Sequence, residues 1–164
     1  MEVTGETANL GIERNGMVLF LSQVETHESI RAFFPPGTLS PMHASGIGKA
    51  LLAQMDPARF GRWFKDHPPE RFTENTLLTE PALVEALREI RARGFSIDGE
   101  EKNLGMRCIA APVFDMNGEA LAGISVSGPT SRVEPEAITR LSEAVIDAAH
   151  ELTEAIGGDA SIAG

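Results

Sequence analysis

Residues 106–128, MRCIAAPVFDMNGEALAGISVSG, decide how this chain folds. Met106–Asp115 and Ala120–Gly128 each carry strand-like alternation. Asn117-Gly118 between them is a hairpin signal, because both residue types accept positive φ. The alternation also sorts side chains between two faces. On the second strand Ser125 and Ser127 point one way, and Ala122, Ile124 and Val126 the other. On the first, Cys108 shares its face with Met106 and Ala110. If the serine face packs against another layer, two buried hydroxyls need partners, and a polar ligand can supply them.

The same pattern recurs toward the N-terminus. Residues 8–14 and 17–25 read as strands around a second turn, Asn15-Gly16. The spacing puts Val18, Phe20, Ser22 and Val24 on one face of residues 17–25. Met17, Leu19 and Leu21 fall on the other, so burial on both sides is expected. A third strand is predicted over roughly 29–34, ended by Pro35-Pro36-Gly37. FSID, residues 95–98, adds a sixth. Three helices are predicted between these groups. HASGIGKALLAQM (43–55) is the first. DPARFGRWFKDH (56–67) opens with Asp56 as N-cap and Pro57 in its first turn. EPALVEALREIRARG (80–94) is closed by Gly94. Apolar residues at helical spacing predict a last helix over Glu134–Ile156. Hairpins at both ends with helices gathered between them indicate an α+β domain built on a largely antiparallel six-stranded sheet.

The 164 residues suit one domain spanning 1–164. Their 14 basic and 24 acidic residues leave a net charge of −10, the wrong sign for a surface that neutralises DNA phosphates. No apolar run has the length a bilayer requires. The opening MEVTGETANL lacks the basic and apolar regions of a secretory signal. With Cys108 as the single cysteine no internal disulfide can form, which fits a reducing cytoplasm.

Few residues offer chemistry. Ser45-Gly46-Ile47-Gly48 starts a helix, where free N–H groups and small residues favour a bound anion; a plain packing role for the glycines is the competing reading. GIGKA lacks the spacing of a phosphate-binding P-loop. Cys108 as a redox or acyl nucleophile would need a nearby base, for which His43 is the candidate. Asp98, Glu100 and Glu101 are expected to form a solvated acidic loop. His27, His43, His67 and His150 show no metal-ligand spacing, so neither a metal nor another cofactor is expected.

Four segments together resemble a known family: TGETANLGI (4–12), LSPMHASGIGKALLAQM (39–55), REIRARGFSIDGEEKNLGMRCIAAPVFD (88–115) and LAGISVSGPTSRV (121–133). In order and spacing they are similar to the C-terminal effector-binding domain of IclR-type transcription regulators. The resemblance implies a GAF- or PAS-like fold with helices on both faces of the sheet. It implies a dimer or tetramer, and a separate N-terminal winged helix-turn-helix that contacts DNA. It also implies a small carboxylate or oxo-acid effector, as in members that sense glyoxylate and pyruvate. Their ligand contacts match Gly46, Ile47, Asp98, Cys108, Ser125 and Ser127, with Ser45 at the same helix start. Ile47 stands where such a member has alanine, which is expected to narrow the pocket. The resemblance implies a sensor and no catalytic residue; a GAF-like enzyme using Cys108 is the alternative.

Overall fold

In the computed structural model, which describes residues 2–162, six strands form one antiparallel sheet. They are β1 (Thr7–Arg14), β2 (Met17–Val24), β3 (Leu39–Pro41), β4 (Ser96–Gly99), β5 (Met106–Phe114) and β6 (Ala120–Pro129), in spatial order β3-β2-β1-β6-β5-β4. Helices α1 (Gly46–Leu52), α2 (Pro57–Asp66) and α3 (Glu80–Arg93) lie over one face. Helix α4 (Ile138–Ala155) packs on β5 and β6 from the other. No described helix is long and apolar enough to cross a membrane. The α+β class, the sheet and its two helical layers are as the sequence predicts.

Alternation along β5 and β6 builds two cores. Ile109, Ala111, Val113 and Val126 pack with Leu141, Val145 and Ala149 of α4. Ala110 faces the opposite way, into a cluster containing Ile47, Leu51, Phe60, Trp63, Leu83 and Ile90. The predicted caps are present: Asp56 accepts from Arg59 N at 2.8 Å, and Gly94 ends α3 at φ 87°. Asn15 and Gly16 both adopt positive φ, as their tight turn requires. The second turn is longer than a two-residue one. Asp115 Oδ1 accepts from Asn117 N and Glu119 N, and Asp115 N donates to Glu119 O. Only Gly118 has positive φ there.

Three expectations are corrected. The third strand is Leu39–Pro41 and not 29–34. Chain after the Pro35-Pro36 break takes the edge of β2, with Gly37 N donating to Phe20 O and Phe20 N to Thr38 O. Two prolines without N–H groups cannot do this. Residues 29–34 instead cross as irregular chain, with Ala32 O accepting from Thr7 Oγ1 and Gln23 Nε2. Second, a bulge at Leu21 shifts the register, since Leu10 pairs with Ser22 but Gly11 with Phe20. Val18 and Phe20 remain buried, while Leu21 and Val24 are exposed. The alternation assumed through residue 24 fails at the bulge. Third, the first helix begins later than residue 43: Met42–Ala44 form a 3-10 turn and Ser45 is extended before α1.

A buried ion pair ties α1 to the β4–β5 loop. Lys49 Nζ lies 2.7 Å from both carboxylate oxygens of Glu101 and donates to Ile97 O. Glu101 Oε2 also accepts from Gly99 N at 3.0 Å. Lys49→Met leaves that carboxylate buried without its cation, and should cost about 3–5 kcal/mol in urea unfolding. Adding Glu101→Gln should recover part of the loss. Equal stability of wild type and Lys49→Met would show that the pair contributes nothing.

Candidate functional site

The register of the sheet lays out side chains in rows beneath α1. Asp98, Cys108, Ser127 and Thr7 are paired across β4, β5, β6 and β1. The next row is Ser96, Ala110, Ser125 and Asn9; the one after contains Pro112, Gly123 and Gly11. A strand directs every second side chain to one face, so these residues look toward the helices. Thr7, Asn9, Ser125 and Ser127 are all at most 3% exposed. The hydroxyl face is therefore the buried one.

α1 rests directly on these rows. A Cβ added at Gly46 would fall 2.6 Å from Cys108 Sγ, so glycine is what lets the first turn reach β5. Ser96 Oγ donates to Gly46 O, and Ser45 Oγ caps the helix by accepting from Gly48 N at 3.2 Å. Ile47 projects onto the paired glycines: a Cβ at Gly123 would lie 2.7 Å from its Cγ2, and one at Gly11 3.3 Å from its Cδ1. Part of the bulk expected to narrow the pocket is thus taken up by the sheet.

Between this helix start, the sheet and the β4–β5 loop lies a cavity of about 330 Å³, its open mouth included. Most of that volume is the open mouth, and the enclosed part is small. All seven residues singled out from the sequence line it: Ser45, Gly46, Ile47, Asp98, Cys108, Ser125 and Ser127. Phe20 and Phe34, stacked with centroids 4.9 Å apart, supply apolar wall. Ser40, Lys102 and Asn103 also line it, and sequence reasoning missed them. Lys102 Nζ donates to Ser40 Oγ at 3.0 Å, bridging the β4–β5 loop to β3. Both Lys102 and Asn103 sit in a loop expected to be plainly solvated, and nothing local in GEEKNLG signals otherwise. Buried Glu101 contradicts that expectation as well.

Burial sets the electrostatics. It raises Asp98 from 3.8 to about 6, aided by repulsion from Glu101 and opposed by the Glu101 N–H bond, Lys49 and Lys102. It pushes the Cys108 thiol up to about 11; the carboxylate of Asp98 adds to this, while the hydroxyls of Ser127 and Ser125 moderate it. It also lowers the Lys102 ammonium from its ordinary value, with Asp98 opposing. His43, the candidate base, is not among the cavity residues; its Nε2 is 2.8 Å from Glu70 O. Among the described residues, no group of three or more His, Cys, Asp or Glu is placed to hold a metal ion.

Comparison with known proteins agrees with this fold. The family model described as bacterial transcriptional regulator IclR C-terminal matches residues 1–154. The HTH-type transcriptional regulator BhcR of Paracoccus denitrificans is 62% identical over 153 residues, covering 93% of this chain and 55% of that protein. The transcriptional repressor IclR of Escherichia coli is 39% identical over 160 residues, covering 96% and 58%. The chain thus spans a little over half the length of these relatives. The crystal structure of Thermotoga maritima IclR matches with a TM-score of 0.92 at 29% identity, over 96% of this chain and 64% of that one. The C-terminal domain of E. coli KdgR matches at 0.86 and 30% identity, over 95% and 90%. With its helix start seated on a polar sheet face and the family model matching from end to end of the fold, the chain belongs to the C-terminal domain family of the bacterial IclR transcriptional regulators.

Proposed function

We propose that this domain is the sensor of a DNA-binding regulator and that its cavity takes a small oxo- or hydroxy-carboxylate of the glyoxylate or pyruvate kind. The observation that carries this reading is the burial of Ser125 and Ser127, 1% and 2% exposed, on a face where hydrocarbon would pack more cheaply. Their hydroxyls and the first-turn N–H groups of Gly46 and Ile47, which have no partner within the helix, are donors for a carboxylate. α1 has only seven residues, so its dipole adds little and the N–H groups themselves matter. Lys102 supplies the opposite charge. Asp98 accepts from a ligand hydroxyl when ionised and donates to a carboxylate oxygen when protonated. Phe20, Phe34 and Ile47 limit the carbon chain.

With a net charge of −10, this domain repels DNA, so contact with an operator is assigned to the remainder of the longer protein. Binding would shift a dimer or tetramer between two arrangements that differ in ligand affinity, and so change operator occupancy. Several of its relatives carry the name repressor, which favours that sign of regulation. The thiol of Cys108, held protonated and without His43 beside the cavity, is poorly suited to nucleophilic chemistry.

Glyoxylate or pyruvate at 100 times its Kd should stabilise the domain by about 2.7 kcal/mol, read as a rise in Tm. Ser125→Ala with Ser127→Ala should weaken binding at least about tenfold. No shift with any short oxo- or hydroxy-acid would refute the small-acid reading.

The pH dependence has a definite sign. A carboxyl raised to about 6 contributes its stability below 3.8 and loses it as pH rises through 6. The free domain should therefore lose stability over that window, and Asp98→Asn should flatten the profile. Because a bound anion raises Asp98 further, affinity should increase as pH falls from about 7.5 to about 6, by up to roughly tenfold per unit. Calorimetric titrations at several pH values check this; constant affinity excludes proton uptake by Asp98.

Iodoacetamide should alkylate Cys108 slowly at neutral pH. Labelling at the rate of an activated thiolate would favour the nucleophile reading instead.

A further inference from the structure

Among the described residues, the buried side-chain polar atoms left without a partner are the amide nitrogen and the carbonyl oxygen of Asn9. The residue is 3% exposed. It pairs directly with Ser125 on β6 and with Gln23 on β2. Directly opposed residues of an antiparallel pair share a face, so the Asn9 carboxamide looks to the same side as the cavity-lining Ser125 hydroxyl. Several neighbouring polar groups are already engaged: Gln23 Nε2 and Thr7 Oγ1 donate to Ala32 O, and Ser96 Oγ donates to Gly46 O. Toward the other end of β1, Ile47 fills the space over Gly11 and Gly123. The carboxamide thus sits beside Ser125 and directly behind the residues that line the cavity, of which Ser125 is one.

An unpaired buried amide costs stability in the empty domain and is a poor choice for packing alone. We propose that Asn9 is a further ligand-contacting residue of this cavity and that its carboxamide recognises a hydroxyl on the bound acid. The inference rests on the small-acid reading and narrows it. A carboxamide presents one group that donates and one that accepts. A keto oxygen or a carboxylate only accepts, which leaves Asn9 Oδ1 unsatisfied. A hydroxyl satisfies both atoms. The favoured ligand is therefore a 2-hydroxy acid, or a 2-oxo acid in its hydrated, gem-diol form.

The test crosses one ligand group with one side chain. Glycolate and acetate differ by the hydroxyl alone, and Asn9→Leu removes both polar atoms at similar size. In the wild-type domain glycolate should bind at least about tenfold more tightly than acetate, and in Asn9→Leu the two should bind alike. The ligand-free variant should melt no lower than wild type, because an unpaired amide has been removed. If Asn9→Leu does not fold, the wild-type side-chain amide resonances of Asn9 must shift with glycolate and stay put with acetate. Equal losses for both acids, a glycolate preference that survives the substitution, or unmoved Asn9 resonances overturn the assignment while the small-acid reading stands. Failure of wild type to bind glycolate, glyoxylate and acetate overturns both.

Discussion

The site depends on one close approach: the first turn of α1 touches β5 at Gly46 with no side chain of its own in between. Gly46 lies over Cys108 and Ala110, and Ile47 settles on the Gly11–Gly123 pair. A helix packed on a sheet through ordinary side chains would stand farther off and fill the gap with hydrocarbon. Here the gap closes on one side of Gly46 and remains open on the other, where serines, a thiol and an aspartate line the walls. The small volume, the raised thiol and the raised carboxyl all follow from that seating.

The seating is held from the loop side. Lys49 and Glu101 are both buried, and such a pair offsets its own desolvation only when nearly every lone pair and proton is used. That condition is met with Ile97 O and Gly99 N as added partners. The same short loop carries Lys102 and Asn103 to the cavity, and the strand that leads into it carries Asp98. Glu101 is therefore within three residues of each of these lining side chains, and a change in one is felt by the other.

Much of this was legible in the chain. Period-two alternation identified β5 and β6, and grouped Ser125 with Ser127, because strand geometry needs only local information. Resemblance supplied the seven residues that converge on the cavity. What escaped detection was set by non-local geometry. The β2 bulge depends on which residue of β1 opposes Leu21, and β3 on which segment reaches a free edge. The Lys49–Glu101 pair joins residues 52 positions apart. Asn9 did leave a trace: Thr7, Asn9 and Gly11 alternate with Ala8, Leu10 and Ile12, and the more polar set is the one turned inward.

The glycine pair under Ile47 links three positions that are far apart in the chain into one steric unit. Isoleucine at 47 excludes any side chain at 123 and crowds one at 11. Alanine at 47 would vacate that space for a methyl group at 123, while one at 11 would still meet Val18 Cγ1 at 3.0 Å. Cavity-lining Ile47 and the position beneath it at 123 can thus be exchanged as a pair, large over small or small over larger. A lineage can in this way rework the shape offered to its effector, provided positions 47 and 123 change together and 11 stays glycine.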